Sequence, residues 1–193
     1  MENKIVGLRY GSTNTYFVSG LLIDTDMAGR MPAFRKECKE KGIRQEEIRF
    51  LLATHFHPDH MGLIGELTKE GAKLILLPSQ KDFVHFSDEL YARMPASRFL
   101  PIDEKNALVL SPEESRAFLR SVGIEGQILP TKSHSPDGAA LLLDDGTAIV
   151  GDLEPMEYLA GYPANAPLKE DWETLLAAGA KRFRFGHIPD RRI

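Results

Sequence analysis

Cysteine is almost missing from this chain: Cys38 is the only one in 193 residues. A single thiol forms no intramolecular disulfide and removes thiolate clusters from the available metal sites. Its simplest role is that of a small buried hydrophobe. Long apolar runs are missing too. None approaches the roughly 20 residues that span a bilayer, and the opening MENKIVGLRYG lacks the apolar core of a secretory signal. A reducing cytoplasm and no membrane partner are therefore expected. An excess of positive charge is also lacking, with 24 Lys and Arg against 28 Asp and Glu and a formal net charge of -4. A nucleic-acid partner, which needs a basic face, is not expected. Repeats and low-complexity tracts are absent as well. The chain is 42% hydrophobic, which suits one domain with a sizeable core, expected to cover residues 1–193.

Short apolar runs alternate with helical patterns. TYFVSGLLID (15–24) reads as two strand segments around Ser19-Gly20. MPAFRKECKEKG (31–42) reads as a helix that sets Phe34 one turn from Cys38 and stops at Gly42. IRFLLAT (48–54) is a buried strand leading into His55, MGLIGELTKEG (61–71) a helix and KLILL (73–77) a strand. SPEESRAFLRSVG (111–123) carries a full set of helix signals: Ser111 as N-cap, Pro112 at the first position, Glu114 completing a capping box and Gly123 as the stop. QILPT (127–131) is a strand, and AALLLDDGTAIVGD (139–152) is a hairpin turning at Asp145-Gly146. DWETLLAAG (171–179) is a helix and KRFRFGH (181–187) a final strand. Residues 82–106 follow no clean period and read as a partly helical insertion over the site.

Against this background the histidines are crowded. The chain has six, and three fall within THFHPDHMG (54–62). Four of the strands end at residues able to bind metal: 48–54 at His55, 127–131 just before His134, 147–151 at Asp152, and 182–185 just before His187. Strand carboxyl ends gathered along one sheet edge are where open α/β architectures hold their ligands. Polar residues scattered through surface loops would not place five of six histidines at or beside such ends. His55 and His57, two apart in an extended turn, point the same way, and His134 completes three imidazoles around a first ion. Asp59 and His60 fall on the first turn of the next helix and face a second position, which His187 closes. Asp152 bridges, since a carboxylate has two oxygens. Imidazole and carboxylate without thiolate suit zinc, but also manganese, iron or cobalt. Two divalent ions about 3.5–4 Å apart share a water and lower its pKa toward roughly 7, giving a bridging hydroxide at neutral pH. They also polarise a carbonyl or phosphoryl oxygen. The chemistry implied is hydrolysis of a small-molecule ester, thioester, lactone, amide or phosphoester, with Asp59 and Asp152 as the catalytic carboxylates.

HFHPDH, then SHSPDG, then Gly151-Asp152, then Gly186-His187 resemble, in that order, the motifs of the metallo-β-lactamase superfamily. STNTYFV (12–18) and LLIDT (21–25) look like its opening strands, so the resemblance covers nearly the whole chain. It implies a four-layer αββα sandwich with a dinuclear site at one edge, and the seven residues above match its ligand motif position by position. Two positions depart from the pattern. Lys132 and Ser133 stand where a proline and glycine commonly precede the motif histidine, and Asp26 stands where a glycine is common. The resemblance sorts activities too. Glyoxalase II-like enzymes add a C-terminal helical region, secreted lactamases an export signal and a different second metal set, and superfamily nucleases RNA-grasping elements. None of these is evident. Diiron flavoproteins place a glutamate where His57 stands. Short lactonases, thioesterases and esterases remain, with an iron-dependent redox enzyme such as a persulfide dioxygenase as the alternative. A non-catalytic protein on this fold would show degraded ligands, and all seven are present.

Outside the constellation, His85 reads as a surface or packed histidine, or else as a pocket contact from the insertion. Asp24 either orients a ligand histidine or makes a strand-end turn. Ser133 and Ser135 have no free base to activate them. Trp172 belongs to the core. Arg191 and Arg192 form a solvated tail or meet an anionic substrate. Phe83, Phe86, Tyr91, Met94 and Phe99 make 82–106 more apolar than a solvated loop needs, so this segment is expected to wall the substrate pocket; the other roles open to it are packing on the sandwich or a homodimer contact.

Overall fold

A computed structural model describes residues 4–193; residues 1–3, which open the expected 1–193 domain and the MENKIVGLRYG segment, lie outside the described residues. Six strands form one sheet in chain order: β1 (Ile5–Leu8), β2 (Thr15–Val18), β3 (Leu21–Ile23), β4 (Phe50–Leu52), β5 (Lys73–Leu76) and β6 (Leu108–Val109). Five more form the second: β7 (Gly126–Pro130), β8 (Ala139–Leu143), β9 (Thr147–Gly151), β10 (Arg182–Phe185) and β11 (Arg191–Arg192), ordered β11-β10-β9-β8-β7. The helices are α1 (Met31–Glu40), α2 (Pro58–Met61), α3 (Ile64–Lys69), α4 (Asp88–Ala92), α5 (Pro112–Ser121), α6 (Tyr158–Gly161) and α7 (Ala166–Ala177).

The strands are apolar on both faces because both faces are covered. Leu21, Ile23, Leu52 and Ile75 of the first sheet meet Ile128, Leu141, Leu143 and Ile149 of the second across the inner core. The alternate residues Leu22, Leu51 and Leu74 face outward, where Phe34 and Cys38 of α1 and Met61, Ile64 and Leu67 of α2 and α3 cover them. On the far side Leu142, Ala148 and Phe183 pack under Leu168, Trp172 and Leu175 of α7. The architecture is the expected αββα sandwich. Trp172 lies in the core as expected, and its Nε1 donates to Glu154 O at 3.0 Å. Cys38 is buried there too, and burial pushes its thiol up to about 12.

Topology brings the strand ends together. β4 runs parallel to β3 and β5, and β9 runs parallel to β10. β7 and β9 are both antiparallel to β8, so they share a direction. The carboxyl ends of β7, β9 and β10 therefore emerge on one edge of the second sheet. Two backbone bonds stitch that edge to the first sheet: Ala139 N–H to Thr54 O at 2.7 Å and Asn14 N–H to Gly186 O at 2.7 Å.

Several elements differ from expectation for local reasons. The helix expected over 61–71 is two helices, broken at Gly62-Leu63. There the Gly62 N–H goes to Asp26 O at 2.9 Å and the Leu63 N–H to Thr25 Oγ1 at 3.1 Å, so neither continues a helical ladder. The 48–54 strand shortens to 50–52 because Thr54 N–H turns to the Asp24 carboxylate at 2.7 Å. α7 begins five residues before the expected start, where Asn165 Oδ1 accepts from Leu168 N–H. β1, β6 and β11 were not legible as strands. Arg191 and Arg192 are exposed, as a solvated tail would be, yet they pair with β10. Among the described residues, no helix is long and apolar enough to cross a membrane.

Gly62 has no room for a side chain: a Cβ there would lie 2.1 Å from Ala28 N and 2.3 Å from Met27 C. Gly62→Ala is expected to destabilise the protein by at least the 1–3 kcal/mol typical of overpacking, roughly. Gly161→Ala, into open space, should stay within about 0.5 kcal/mol of wild type. Thermal melting of the two variants side by side measures the contrast, and equal melting would show that the 26–28 backbone yields freely.

Candidate metal centre

The turn after β4 and the short α2 carry the first ligand-type residues. Extended backbone at His57 (φ −69°, ψ 152°), followed by Pro58 in the first helical turn, sends Asp59 and His60 onto α2. His134 lies in the loop after β7, Asp152 one residue past β9 and His187 two residues past β10. A Cβ on Gly186 would lie 2.7 Å from Asp152 Oδ1 and 2.8 Å from His60 Cε1, so only glycine lets this turn close over the cluster.

All seven residues named from the sequence converge here. His57 Nδ1 lies 3.0 Å from His55 Nε2 and 3.3 Å from His134 Nε2. In a second group His187 Nε2 lies 3.3 Å from His60 Nε2 and 3.0 Å from Asp59 Oδ2. Asp152 sits between the groups, with Oδ1 3.3 Å from His60 Nε2 and Oδ2 3.5 and 3.8 Å from the Nε2 atoms of His187 and His134. Sets of three among these residues bring their donor atoms within 4.8 Å of one another.

The donor set fits divalent metal. A tetrahedral ion with bonds of roughly 2.0–2.1 Å holds its donors about 3.3 Å apart, close to the 3.0–3.3 Å nitrogen separations found within the groups. Asp152 Oδ1 is buried and has no neighbour closer than His60 Nε2 at 3.3 Å, too far for a well-formed hydrogen bond, so its acceptor capacity is open to a cation. Without a cation the electrostatics of the cluster are lopsided. Burial opposes charge on His60, but the carboxylates of Asp24 and Asp152 outweigh it and hold its pKa up at about 10. Burial and the neighbouring imidazoles drive His55 far down.

In three of the histidines the nitrogen opposite the cluster has a partner that orients the ring. His60 Nδ1 is 2.9 Å from Asp24 Oδ2, His187 Nδ1 is 3.2 Å from Ser12 O, and His55 Nδ1 is 3.2 Å from Thr54 Oγ1. Asp24 thus serves both expected roles: it sits in the left-handed region at φ 60°, at a strand-end turn, and its carboxylate joins Thr54 to His60.

Three buried aspartates have supporting roles that sequence reasoning misses. Asp171 of α7 accepts from Lys132 N–H at 3.0 Å and Ser133 N–H at 2.7 Å, which anchors the loop that lacks the usual proline and glycine. Its signal is a charge in the apolar register of Leu168 and Leu175. Asp137 accepts from Phe56 N–H at 2.7 Å and from Ser135 Oγ, tying the His134 loop to the His55 turn. Asp26, left-handed at φ 55°, accepts from Thr13 N–H at 2.9 Å, and Thr13 Oγ1 donates to Asp59 O at 2.7 Å. Asp137 does not differ in sequence from an ordinary turn aspartate, and Asp26 is marked only by standing where a glycine is common, which does not announce its partner.

The 82–106 segment divides. Tyr91 is only 2% exposed, donates to Pro58 O at 2.6 Å, accepts from Ala28 N–H and stacks on Phe99 with ring centroids 4.2 Å apart. The expectation that Tyr91 and Phe99 wall a pocket is therefore corrected: they pack on the sandwich and brace the turn before Asp59. Phe83 packs there as well. Phe86 does lie beside the cluster, with its ring 5.6 Å from that of His57. His85 is a surface residue between Asp88 and Glu104.

Two stacked sheets with helices outside and a histidine–aspartate cluster on one edge define the class of αββα metal-centre folds. The chain belongs to the metallo-beta-lactamase superfamily, whose family model matches residues 8–186. Solved structures of similar fold include a metallo-beta-lactamase family protein of Thermus thermophilus (21% identity, TM-score 0.71, 99% of this chain and 74% of that one). A candidate metallo-beta-lactamase of Thermotoga maritima matches at 20% identity and a TM-score of 0.67, over 100% of this chain and 99% of that one. A subclass B3 metallo-beta-lactamase of Bradyrhizobium japonicum matches at 18% identity and a TM-score of 0.64, over 96% and 75%. These likenesses carry the fold. The curated proteins compared give no match. The superfamily is generally one of metal-dependent hydrolases.

Proposed function

We propose that this chain is a single-domain, dinuclear metal-dependent hydrolase of a small-molecule ester, thioester, lactone or phosphoester, acting in the cytoplasm. The observation that carries the reading is the Asp152 carboxylate, which lies between two groups of ligand-type side chains and within 3.8 Å of three of their imidazoles. His55, His57 and His134 would hold one ion, Asp59, His60 and His187 the other, and Asp152 both. When bound, such ions supply Lewis acidity and a water acidified toward roughly pKa 7.

The chain's own residues do the rest. Asp24, Ser12 O and Thr54 orient His60, His187 and His55, leaving each opposite nitrogen toward the centre. Asp59 has a 31% exposed side chain against 18% for Asp152, which makes it the carboxylate better placed to take and return a proton. In an ester the acyl–oxygen bond breaks, water supplies the new oxygen, and its proton passes through Asp59 to the departing oxygen. Imidazole and carboxylate donors without thiolate favour zinc, then iron or manganese.

Elemental analysis of the protein, reconstituted separately with zinc, iron and manganese, should give a ratio near two per chain, together with turnover of at least one of the four substrate classes. A ratio of one at full activity would overturn the dinuclear reading. Oxygen consumption by the iron form without hydrolysis by any form would assign the redox alternative.

A further inference from the structure

The polar cluster has an apolar neighbour that metal binding does not explain. Phe86, Leu90 and Met94 are 60%, 45% and 40% exposed, unusual for three large apolar side chains in nine residues. Leu90 lies on α4, with Phe86 two residues before that helix and Met94 two residues past it. Tyr91 of the same helix points inward and fixes the segment to the body through Pro58 O. The three exposed side chains therefore sit on an anchored support. Phe86 leans on a candidate ligand, since its ring lies 5.6 Å from the His57 ring at an interplanar angle of 38°.

We propose that Phe86, Leu90 and Met94 form the binding rail for an apolar acyl group of the substrate, which makes esters or thioesters of apolar carboxylic acids the substrate class. This rests on the hydrolase reading above. Three half-exposed side chains offer roughly 300 Å², the size of a functional patch on a monomer and well short of the roughly 800 Å² per partner of a stable protein interface. An apolar chain held against Phe86 brings its carbonyl carbon beside His57. A charged or strongly hydrated acyl group would lose water there without a polar partner in return.

The test compares 4-nitrophenyl acetate with 4-nitrophenyl octanoate on the metal-loaded full chain, as wild type, Phe86→Ala and Leu90→Ala. Wild type should favour octanoate in kcat/KM by about 10-fold or more, since burying each methylene is favourable. Either substitution should shrink that preference at least about threefold with metal content unchanged. Both side chains are exposed, so the variants should melt with wild type. A wild-type ratio near one, or a ratio unmoved in both variants, would overturn the rail. Calorimetric binding of octanoate and acetate separates this from failure of the hydrolase reading. No hydrolysis of either ester, with octanoate bound tighter than acetate and the difference lost in Phe86→Ala, would leave the rail standing and remove the hydrolase. Sedimentation covers the remaining occupant: a wild-type dimer that dissociates in Phe86→Ala would assign these side chains to a second copy of the chain and overturn the proposal.

Discussion

Asp152→Ala should lower kcat/KM by about three orders of magnitude or more, a loss of roughly 4 kcal/mol of transition-state stabilisation. The carboxylate lies between the two groups of imidazoles, and its Oδ1 accepts no well-formed hydrogen bond. Truncation therefore strands no backbone donor, and the strands behind it keep their core contacts. The variant should melt near the metal-free wild type while its metal content falls from about two per chain toward one. Circular dichroism, elemental analysis and steady-state kinetics on one preparation check all three. Wild-type turnover in a folded variant would show that Asp152 does not serve the centre.

Asp24 should have the second largest effect, with a different signature. It touches no reacting atom, yet its buried carboxylate accepts Thr54 N–H at 2.7 Å and lies 2.9 Å from His60 Nδ1. Asp24→Asn keeps one oxygen acceptor and sets an amide donor against the other partner. It should weaken metal binding by about 10–100-fold, the usual cost of losing an outer partner of a ligand histidine. Asp24→Ala strands three buried groups, the Thr54 N–H, the Thr54 hydroxyl and His60 Nδ1, at about 1–3 kcal/mol each, so it should melt well below wild type even with metal in excess. Chelator competition reads the first and thermal melting the second. Wild-type chelator resistance in Asp24→Asn would remove Asp24 from the support of His60.

These expectations depend on how unevenly the sequence discloses the molecule. The hydrophobic periods of 15–24, 111–123 and 139–152 are strong because turn or cap chemistry agrees with them; Ser111 and Glu114 form the capping box that their spacing announces. The ligand-type residues were legible because imidazole and carboxylate at strand ends have few other uses. Apart from Asp24, whose strand-end position suggests an orienting role, the support residues were not. Asp26 and Asp137 act through backbone amides 13 and 81 residues away, and no local spacing encodes such a partner. The 82–106 segment was half legible: its apolar excess is real, but inward Tyr91 and outward Phe86 look alike until Pro58 O and the His57 ring give each a neighbour.

The seam between the sheets carries a further consequence. His55, His57, Asp59 and His60 follow a strand of the first sheet, while His134, Asp152 and His187 follow strands of the second. Under the proposed ligand assignment, neither sheet owns a complete centre. Each ion then acts as a rivet through both sheets, joining positions such as His60 and His187 that are 127 residues apart. Metal occupancy enters the folding equilibrium directly, adding about 4 kcal/mol when free metal stands a thousandfold above its dissociation constant. The supply of metal that governs catalysis would then also govern how long the sandwich stays closed.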